Sequence, residues 1–366
     1  MEQYASLLDS FKMSYPDYYA GAYLNDEDKL VIKIKDPSAN AKQSLQSITQ
    51  NETLIFEEAE YSYDELNEIK DTIFNFMEDH PDEGRLPICG CGIDDQLNRV
   101  IVFMEKLTQE NIASVKAVIN SPAIVFKTIN IAQKKQTEEK AQFNLKEFGF
   151  SSAEKSTIVP QAVTYYYPGQ GIRTDKYDGS TSLMSVGYNA KMHITGNPYQ
   201  YGFVTAGHGT KNNGKIYNLV MTQIGTVKGR IFSELGDVAF VLPTSNMIYG
   251  KTIQNDTGTV SKSYGTIIKN MKLYKSGTST RVTSGSVVIA SYDDFVAENV
   301  NVRDLAAVAT TVQVEGGDSG GIVYQKSGSA NIPMGIVSAR HYISGDNLMM
   351  VTKASNIAKY GAIYPN

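Results

Sequence analysis

The sequence predicts a multidomain protein in which an α+β region comes first and an all-β region follows. Three observations predict this division. Residues 1–130 contain an internal repeat, residues 172–366 show short apolar runs between turn residues, and the connection at 131–171 is first charged and then turn-rich. A chain of 366 residues suits two or three compact units, and its 42% hydrophobic residues suffice for a core in each.

The repeat in the first region has an offset of 69 residues. Two apolar runs that flank a polar turn, the signature of a β-hairpin, occur at 21–34 and again at 90–103. A predicted helix and a predicted strand follow each hairpin, the helices at about 39–48 and 109–120 and the strands at 53–56 and 123–126. An amphipathic helix precedes each hairpin. The order helix, hairpin, helix, strand therefore occurs twice, at about 1–60 and 61–130.

The helix before the second hairpin has a recognisable start and end. Ser62 and Glu65 have the spacing of a capping box, in which each side chain accepts a hydrogen bond from the other residue's backbone N–H. Apolar residues then recur at helical spacing, namely Leu66, Ile69, Ile73 and Phe76. His80, next to Pro81, is interpreted as a helix-end residue, because cations suit helix C-termini.

Composition argues against several classes of function. The net charge of −5 predicts no basic surface for nucleic acid. The chain contains no apolar stretch of about 18 residues, as a transmembrane helix requires, and its first residues lack the pattern of a signal peptide. Cys89 and Cys91 are too close in sequence for an unstrained disulfide and lack partners for a metal site. We interpret both as core residues, and we expect no metal ion and no cofactor.

A serine in a glycine-rich turn is the centre of the second region. Ser319 lies in the sequence Gly-Asp-Ser-Gly-Gly, where the absence of Cβ atoms lets an oxyanion approach backbone N–H groups closely. Gly317 and Ser319 are expected to supply those donors. Because such a sequence is also typical of a polar turn, a second signal is needed.

Two further motifs provide a base and a carboxylate. His208 follows an apolar run in a turn of small residues, which predicts an accessible ring at the end of a strand. Asp237 begins an apolar run, where an unpaired carboxylate would be costly. Together with Ser319 they occur in the order base, orienting acid, nucleophile. His193 and His341 are alternative bases outside such turns, and the remaining candidate acids are expected to face solvent, namely Asp256, Asp293, Asp294 and Asp304.

With these motifs, residues 165–366 resemble the chymotrypsin-like serine proteases, and in particular the bacterial branch typified by streptogrisin and alpha-lytic protease. The resemblance is carried by Thr-Ala-Gly-His at 205–208, Gly-Asp-Val-Ala at 236–239, Gly-Asp-Ser-Gly-Gly at 317–321 and a hairpin-like segment at 273–287. Short strands alone predict either a sandwich or a barrel. The resemblance selects the trypsin-like fold, a double β-barrel from residue 172 to 366 with the triad in the cleft. It implies a serine endopeptidase that acts through an acyl-enzyme.

The same resemblance suggests supporting roles for three residues. It pairs Asp318 with an internal cation, and the matching position is Lys275, where an arginine is usual. A lysine loses the bidentate geometry of arginine, and the alternative is that Lys275 is simply exposed. Ser338 resembles the serine that supports the catalytic aspartate from the opposite barrel.

The resemblance also places residues along a substrate pocket, namely Glu315, Gly316, Ala339 and Arg340. Arg340 and the following His341 would present two cationic donors, which predicts a preference for an acidic side chain of the substrate. The alternative is that Arg340 pairs with Glu315 and narrows an apolar pocket.

By the same resemblance, the duplicated α+β region is a pro-region that assists folding in cis and inhibits the protease until the connection is cut. The expected partners are protein or peptide substrates and this pro-region, with no nucleic acid and no membrane span. Secretion is implied, although the missing signal peptide leaves a cytoplasmic location open. The alternative function is that of a catalytically silent protease homologue acting as a binding module. An α/β-hydrolase esterase lacks support, because its Gly-x-Ser-x-Gly motif and its order Ser, Asp, His are missing.

Overall fold

The computed structural model describes residues 2–11, 14–81, 84–129, 164–176, 179–193, 198–244, 247–295, 300–343 and 346–366. The charged part of the connection, at 132–140, lies outside these residues. The first region contains, in chain order, α1 (Glu2–Phe11), β1 (Tyr19–Leu24), β2 (Leu30–Ile34), α2 (Ala39–Thr49), β3 (Ile55–Glu58), α3 (Tyr63–Asp79), β4 (Gly90–Asp94), β5 (Arg99–Met104), α4 (Gln109–Val118) and β6 (Ile124–Thr128). Among the described helices, none is both long and apolar enough to cross a bilayer.

The second region is almost entirely made of strands. It contains β7 (Thr164–Tyr166), β8 (Gly171–Asp175), β9 (Thr181–Ser185), β10 (Asn189–Met192), β11 (Gln200–Thr205), β12 (Lys215–Tyr217), β13 (Gln223–Ser233), β14 (Gly236–Pro243), β15 (Met247–Tyr249), β16 (Thr259–Val260), β17 (Lys272–Gly277), β18 (Arg281–Asp294), β19 (Val302–Thr310), β20 (Ile322–Ser327), β21 (Ala330–Ile343), β22 (Asp346–Lys353), α5 (Ala354–Gly361) and β23 (Ile363–Pro365).

The two halves of the first region repeat one arrangement. In each half an antiparallel hairpin, β1–β2 or β4–β5, is joined by a parallel third strand, β3 or β6. The predicted capping box at the start of α3 is present, with Ser62 accepting from the Glu65 N–H and Glu65 accepting from the Ser62 N–H. The helix ends at His80, whose backbone N–H donates to the carbonyl of Phe76. The predicted duplication of helix, hairpin, helix and strand is confirmed in three dimensions.

The first barrel of the second region consists of six strands that close on themselves. β9 and β10 are two parts of one long stretch, separated by residues 186–188. β8 pairs with β9, and β11 pairs with β10. Hydrogen bonds from Gly187 to Val204 and from Val204 to Tyr188 join the two pairings. The strand order β10-β11-β14-β13-β12-β8 then completes the ring, and β23 adds to β10 from outside.

The second barrel is also a ring of six antiparallel strands. The order is β17-β20-β21-β22-β19-β18, and the pairing of β17 with β18 closes it. Its interior is apolar, with Leu273, Val287, Val308 and Val323 fully buried. A helix, α5, follows the last barrel strand, β22. The fold class predicted from the sequence, an α+β region followed by a double β-barrel, is confirmed.

The first region packs onto the second barrel through a shared sheet. The end of β18 pairs with β4, from Ser291 opposite Ile93 to Asp294 opposite Gly90, so β4, β5 and β6 extend the sheet of the barrel. A Cβ on Gly90 would lie 2.7 Å from the carbonyl oxygen of Asp293, so this close approach requires glycine. Cys89 and Cys91 are free thiols and are buried in this part of the molecule, as the sequence predicted.

A buried ion pair crosses the same interface. The ammonium of Lys70, on α3, lies 3.1 Å from Asp293 at the end of β18, and the two side chains are 4% and 0% exposed. The backbone N–H of Asp304 also donates to Asp293, at 2.9 Å. The prediction that Asp293 and Asp294 face solvent was therefore wrong, because β18 extends to Asp294 and β4 covers its end. Asp256 was also predicted to face solvent, but its side chain is 8% exposed and lies 2.8 Å from the Lys326 ammonium.

Removal of the Lys70 side chain is expected to lower the stability of the folded protein strongly. Lys70→Ala leaves the Asp293 carboxylate buried without its principal cation, which should lower the free energy of unfolding by about 3 kcal/mol. Lys35→Ala is the matched control, because the Lys35–Glu65 pair is 40% and 44% exposed and should contribute less than about 1 kcal/mol. Urea unfolding of both variants in a Ser319→Ala background measures the difference. Equal losses in the two variants would contradict the prediction.

Candidate active site

His208 lies at the end of a barrel strand, in contact with the start of another. β11 ends at Thr205, and the small residues that follow turn the chain so that His208, 6% exposed, lies above Asp237. Its Nδ1 is 2.8 Å from Asp237 Oδ2, and its backbone N–H donates to Asp237 Oδ1, also at 2.8 Å. The carboxylate therefore holds both the ring and the backbone of the histidine. Nδ1 is therefore the ring nitrogen that Asp237 holds.

Asp237 is held from both barrels. It is the second residue of β14 in the first barrel, and it accepts a hydrogen bond of 2.6 Å from the hydroxyl of Ser338, on β21 of the second barrel. Burial acts to raise the pKa of Asp237, but the His208 charge and the hydrogen bonds from His208 and Ser338 outweigh it and lower that pKa below its ordinary value. The carboxylate therefore stays ionised in a buried position.

Ser319 lies in the turn between β19 and β20, against the histidine turn. The backbone N–H of Ser185, in the first barrel, donates to the carbonyl of Ser319 at 2.9 Å. A Cβ on the next residue, Gly320, would lie 2.6 Å from the backbone nitrogen of Ala206. The fold thus brings the turn that contains Ser319 against the segment of the first barrel that leads to His208.

Two backbone N–H groups beside the serine have no acceptor in the described part of the chain. These are the N–H groups of Gly317 and Ser319, whereas the N–H groups of Asp318 and Gly320 donate to the carbonyls of Glu315 and Val337. Gly317 has a φ of +104°, a conformation that favours glycine. The two free donors are the residues that the sequence predicted for an oxyanion hole.

Asp318 points away from the cleft into a buried cluster of donors. Its Oδ2 lies 3.1 Å from the ammonium of Lys275, and both side chains are 0% exposed. Its Oδ1 accepts from the backbone N–H groups of Ser279 and Thr280, each at 3.0 Å, and the Thr280 hydroxyl donates to Oδ2 at 2.5 Å. Lys275 is therefore buried against Asp318, and the alternative of an exposed lysine does not describe this structure.

The Asp318 cluster predicts a loss of stability in acid. Burial alone would raise the pKa of Asp318, but the Lys275 charge and the hydrogen bonds lower it below the ordinary value. A lowered pKa in the folded state stabilises the fold above about pH 4, and this stabilisation is lost as the pH falls through the folded-state pKa. We expect the free energy of unfolding to fall between pH 4 and 2, less steeply in Thr280→Val and least in Asp318→Asn. Urea titrations at several pH values test this, with Ser286→Ala as the unaffected control; identical slopes in all variants would contradict the prediction.

The residues predicted to line a substrate pocket lie on two segments that meet. Arg340 Nη1 donates to the carbonyl of Val314 at 2.9 Å. This bond joins β21 to the segment before the turn that contains Ser319, called the serine turn below. Glu315 and Gly316 are exposed, and Ala339 is partly exposed. The Arg340 guanidinium thus contacts the carbonyl of Val314, and not the Glu315 carboxylate as the alternative prediction required.

His341 was wrongly expected to be a second cationic donor in the pocket. Its Nε2 lies 2.7 Å from Asp294 Oδ2, and the two side chains are 3% and 0% exposed. It is therefore committed to a buried pair at the end of β18. The preference for an acidic substrate residue now rests on Arg340 alone, and it stays a prediction.

Three residues near the site were not identified from the sequence. The hydroxyls of Ser185 and Ser279 donate to carbonyls of the turn that contains Ser319, and the backbone N–H of Thr278 donates to the Ser185 hydroxyl. Ser279 and Thr278 lie inside the hairpin-like segment that the resemblance singled out, so a signal existed for them. Ser185 ends an ordinary barrel strand and carries no motif.

Two family models match the first region. Residues 1–59 match the family model described as Pro-like N-terminal domain, and residues 64–129 match the one described as Pro-like C-terminal domain. No curated protein matches the chain.

Several solved structures are similar to the second region. Nocardiopsis protease is 21% identical with a TM-score of 0.45, over 56% of this chain and 100% of its own. Thermobifida fusca protease A is 21% identical with a TM-score of 0.44, over 55% of this chain and 98% of its own. Cellulomonas bogoriensis chymotrypsin is 19% identical with a TM-score of 0.43, over 56% of this chain and 99% of its own.

The described residues include no group of three or more His, Cys, Asp or Glu side chains that could hold a metal ion. The site consists of the His208, Asp237 and Ser319 side chains and the N–H donors near Ser319. These stand between two closed six-stranded barrels, in the chain order that was described for chymotrypsin-like proteins. The chain consists of a Pro-like N-terminal domain and a Pro-like C-terminal domain followed by a unit with the chymotrypsin-like fold.

Proposed function

We propose that this chain is a serine endopeptidase made with a pro-region that binds the protease in cis. The observation that carries the proposal is the hydrogen-bonded series Ser338, Asp237 and His208, built from both barrels beside the turn of Ser319. A binding module has no physical need for a buried ionised carboxylate that holds a histidine against a glycine-flanked serine.

The mechanism follows from the roles of these groups. The Ser319 hydroxyl attacks the peptide carbonyl while His208 Nε2 accepts its proton, and Asp237 holds the Nδ1–H tautomer and stabilises the imidazolium. The oxyanion is stabilised by the N–H groups of Gly317 and Ser319. His208 then gives the proton to the leaving amine, which breaks the C–N bond and leaves an ester on Ser319. Water, activated by His208, hydrolyses this ester and releases the second product.

The proposed pro-region has contacts that suit a cis inhibitor. Ile129, the last described residue before the connection, is buried in one hydrophobic cluster with Phe103 of β5 and Phe232 of β13. The ring centroid of Phe232 is 6.1 Å from that of His208. The same buried cluster therefore contains the end of the first region and a ring that lies near the proposed catalytic histidine. We propose that the pro-region restrains the cleft until the connection is cut.

One experiment tests the proposed class. Purified protein is mixed with labelled casein and with a fluorophosphonate, which reacts with an activated serine. Labelling and cleavage that are lost together in Ser319→Ala would support a serine endopeptidase. Binding of casein without labelling and without cleavage would instead support a silent homologue that acts as a binding module.

A further inference from the structure

The serine turn holds its two oxyanion donors by different means. In a trans peptide the C=O and the following N–H point in opposite directions, so fixing a carbonyl on one side directs the next N–H to the other. The Ser319 N–H follows the carbonyl of Asp318, which accepts a backbone hydrogen bond from Gly321 at 2.9 Å. This donor is therefore oriented by the backbone of the turn itself.

The Gly317 N–H has no such backbone restraint. It follows the carbonyl of Gly316, and the hydroxyl of Ser279 donates to that carbonyl at 2.6 Å. No backbone N–H in the described part of the chain donates to the Gly316 carbonyl. The orientation of the first oxyanion donor thus depends on one side-chain hydroxyl from the β17–β18 turn.

The hydroxyl of Ser279 is itself held in place. The backbone N–H of Ser279 donates to Asp318 Oδ1 at 3.0 Å, and the carboxylate of Asp318 is fixed by Lys275. A Cβ on Gly317 would lie 2.5 Å from the Ser279 hydroxyl, so the contact also requires glycine at that position. The buried ion pair, the hairpin turn and the oxyanion peptide therefore form one connected unit.

A second hydroxyl restrains the next peptide. The Ser185 hydroxyl donates to the carbonyl of Gly317 at 2.7 Å and accepts from the backbone N–H of Thr278 at 2.8 Å. Ser185 lies in the first barrel and is 0% exposed. The two peptides on either side of Gly317 are thus held by serines from two different barrels, in a conformation with positive φ that the backbone alone does not enforce.

We infer that Ser279 is a positioning residue that keeps the Gly317 N–H directed into the oxyanion hole, with Ser185 holding the adjoining peptide. The inference rests on the proposed protease function. Loss of the Ser279 hydroxyl frees the Gly316–Gly317 peptide to rotate, because both of its flanking residues are glycine. The oxyanion then loses one of its two donors for part of the time, while the substrate in its ground state loses no contact.

The test uses the full chain with Ser279→Ala, the conservative Ser279→Thr and the control Ser286→Ala. Ser286 lies on the same hairpin and is exposed. After titration of active sites, kcat and KM are measured on a peptide amide. Affinity is measured for a peptide aldehyde, whose adduct places an oxygen in the hole, and for a matched peptide without the reacting carbonyl.

Ser279→Ala should lower kcat per active site about tenfold and weaken the aldehyde about tenfold, the order expected for partial loss of an oxyanion donor. KM and affinity for the carbonyl-free peptide should change less than about twofold, and Ser279→Thr and Ser286→Ala should resemble wild type. Because Ser279 is exposed, the Tm should stay close to the wild-type value.

Three results would overturn the inference. These are an unchanged kcat per active site in Ser279→Ala, a fall only in the fraction of titratable sites, and equal weakening of both peptides. A wild-type chain that neither reacts with the fluorophosphonate nor cleaves peptides would overturn the proposed protease function, and the positioning role with it.

Discussion

Ser319→Ala is expected to lower kcat for peptide hydrolysis by about 10⁶-fold, with KM changed little. The hydroxyl is the group that attacks the peptide carbonyl in the proposed mechanism, and its loss removes the acyl-enzyme route entirely. The residual rate would come from the oxyanion donors and from substrate binding. His208→Ala should cause a loss of similar size, because without the base the serine stays protonated. The double variant should be no worse than either single variant, since the two residues act as one unit.

The measurement is initial-rate hydrolysis of a chromogenic peptide by purified chains at equal concentration. Ser338→Ala is a graded variant, because it removes one hydrogen bond to Asp237 and leaves the triad otherwise intact; about a tenfold loss is expected. Ser286→Ala is the control for substitution of an exposed serine. An activity above a tenth of wild type in Ser319→Ala would show that the assignment of the nucleophile is wrong.

Removal of the first region is expected to prevent efficient folding of the second. A chain that begins at Gln161 lacks the strands that extend β18, and Asp293 loses Lys70, its nearest cation. The double barrel is rich in non-local pairings, which fold slowly. We expect low recovery of activity after dilution from denaturant, and recovery should rise more than tenfold when residues 1–160 are added in trans.

The first region can be varied to test whether this rescue depends on the interface. Residues 1–160 with Lys70→Ala should rescue poorly, whereas the same fragment with Lys35→Ala should act like the unaltered one. Spontaneous recovery of full activity by the shorter chain would argue that the first region is only an accessory domain.

Self-cleavage gives a second readout of the same hypothesis. The intact wild-type chain should cut itself between about residues 155 and 172, and Ser319→Ala should remain full length under the same conditions. Intact-mass spectrometry of both preparations identifies the bond. A wild type that is fully active without being cut would contradict the role of the first region as a removable inhibitor.

Local patterns were sufficient to predict most of the architecture. The repeat at an offset of 69, the capping box of Ser62 and Glu65 and the short apolar runs each depend on nearby residues, and each element forms where those patterns lie. Strand lengths were the weaker part. β18 and β21 each run for 14 residues, well beyond the apolar runs at 287–291 and 334–338, because Ser, Thr and Gly residues in barrel strands give no clear alternation.

By itself, the sequence determined which residues carry the proposed chemistry. His208 and Ser319 lie in turns of small residues, which let the backbone pass close to the histidine ring and to an oxyanion. Asp237 stands at the start of an apolar strand, where a carboxylate needs a partner. Gly317 was recognisable for the same reason, and its φ of +104° is a conformation that glycine adopts readily.

Only the tertiary structure decided which partners hold these residues in place. Asp293 reads as a solvent-facing acid in sequence, yet it is buried against Lys70 from a region more than 200 positions earlier. His341 reads as a pocket donor but pairs with Asp294. Ser185 carries no motif, although it holds the peptide after Gly317 as Ser279 holds the one before it. The physical reason is the same in each case: a buried charge or a peptide orientation is stabilised by whichever donor the fold brings within about 3 Å, and that proximity arises between strands distant in sequence.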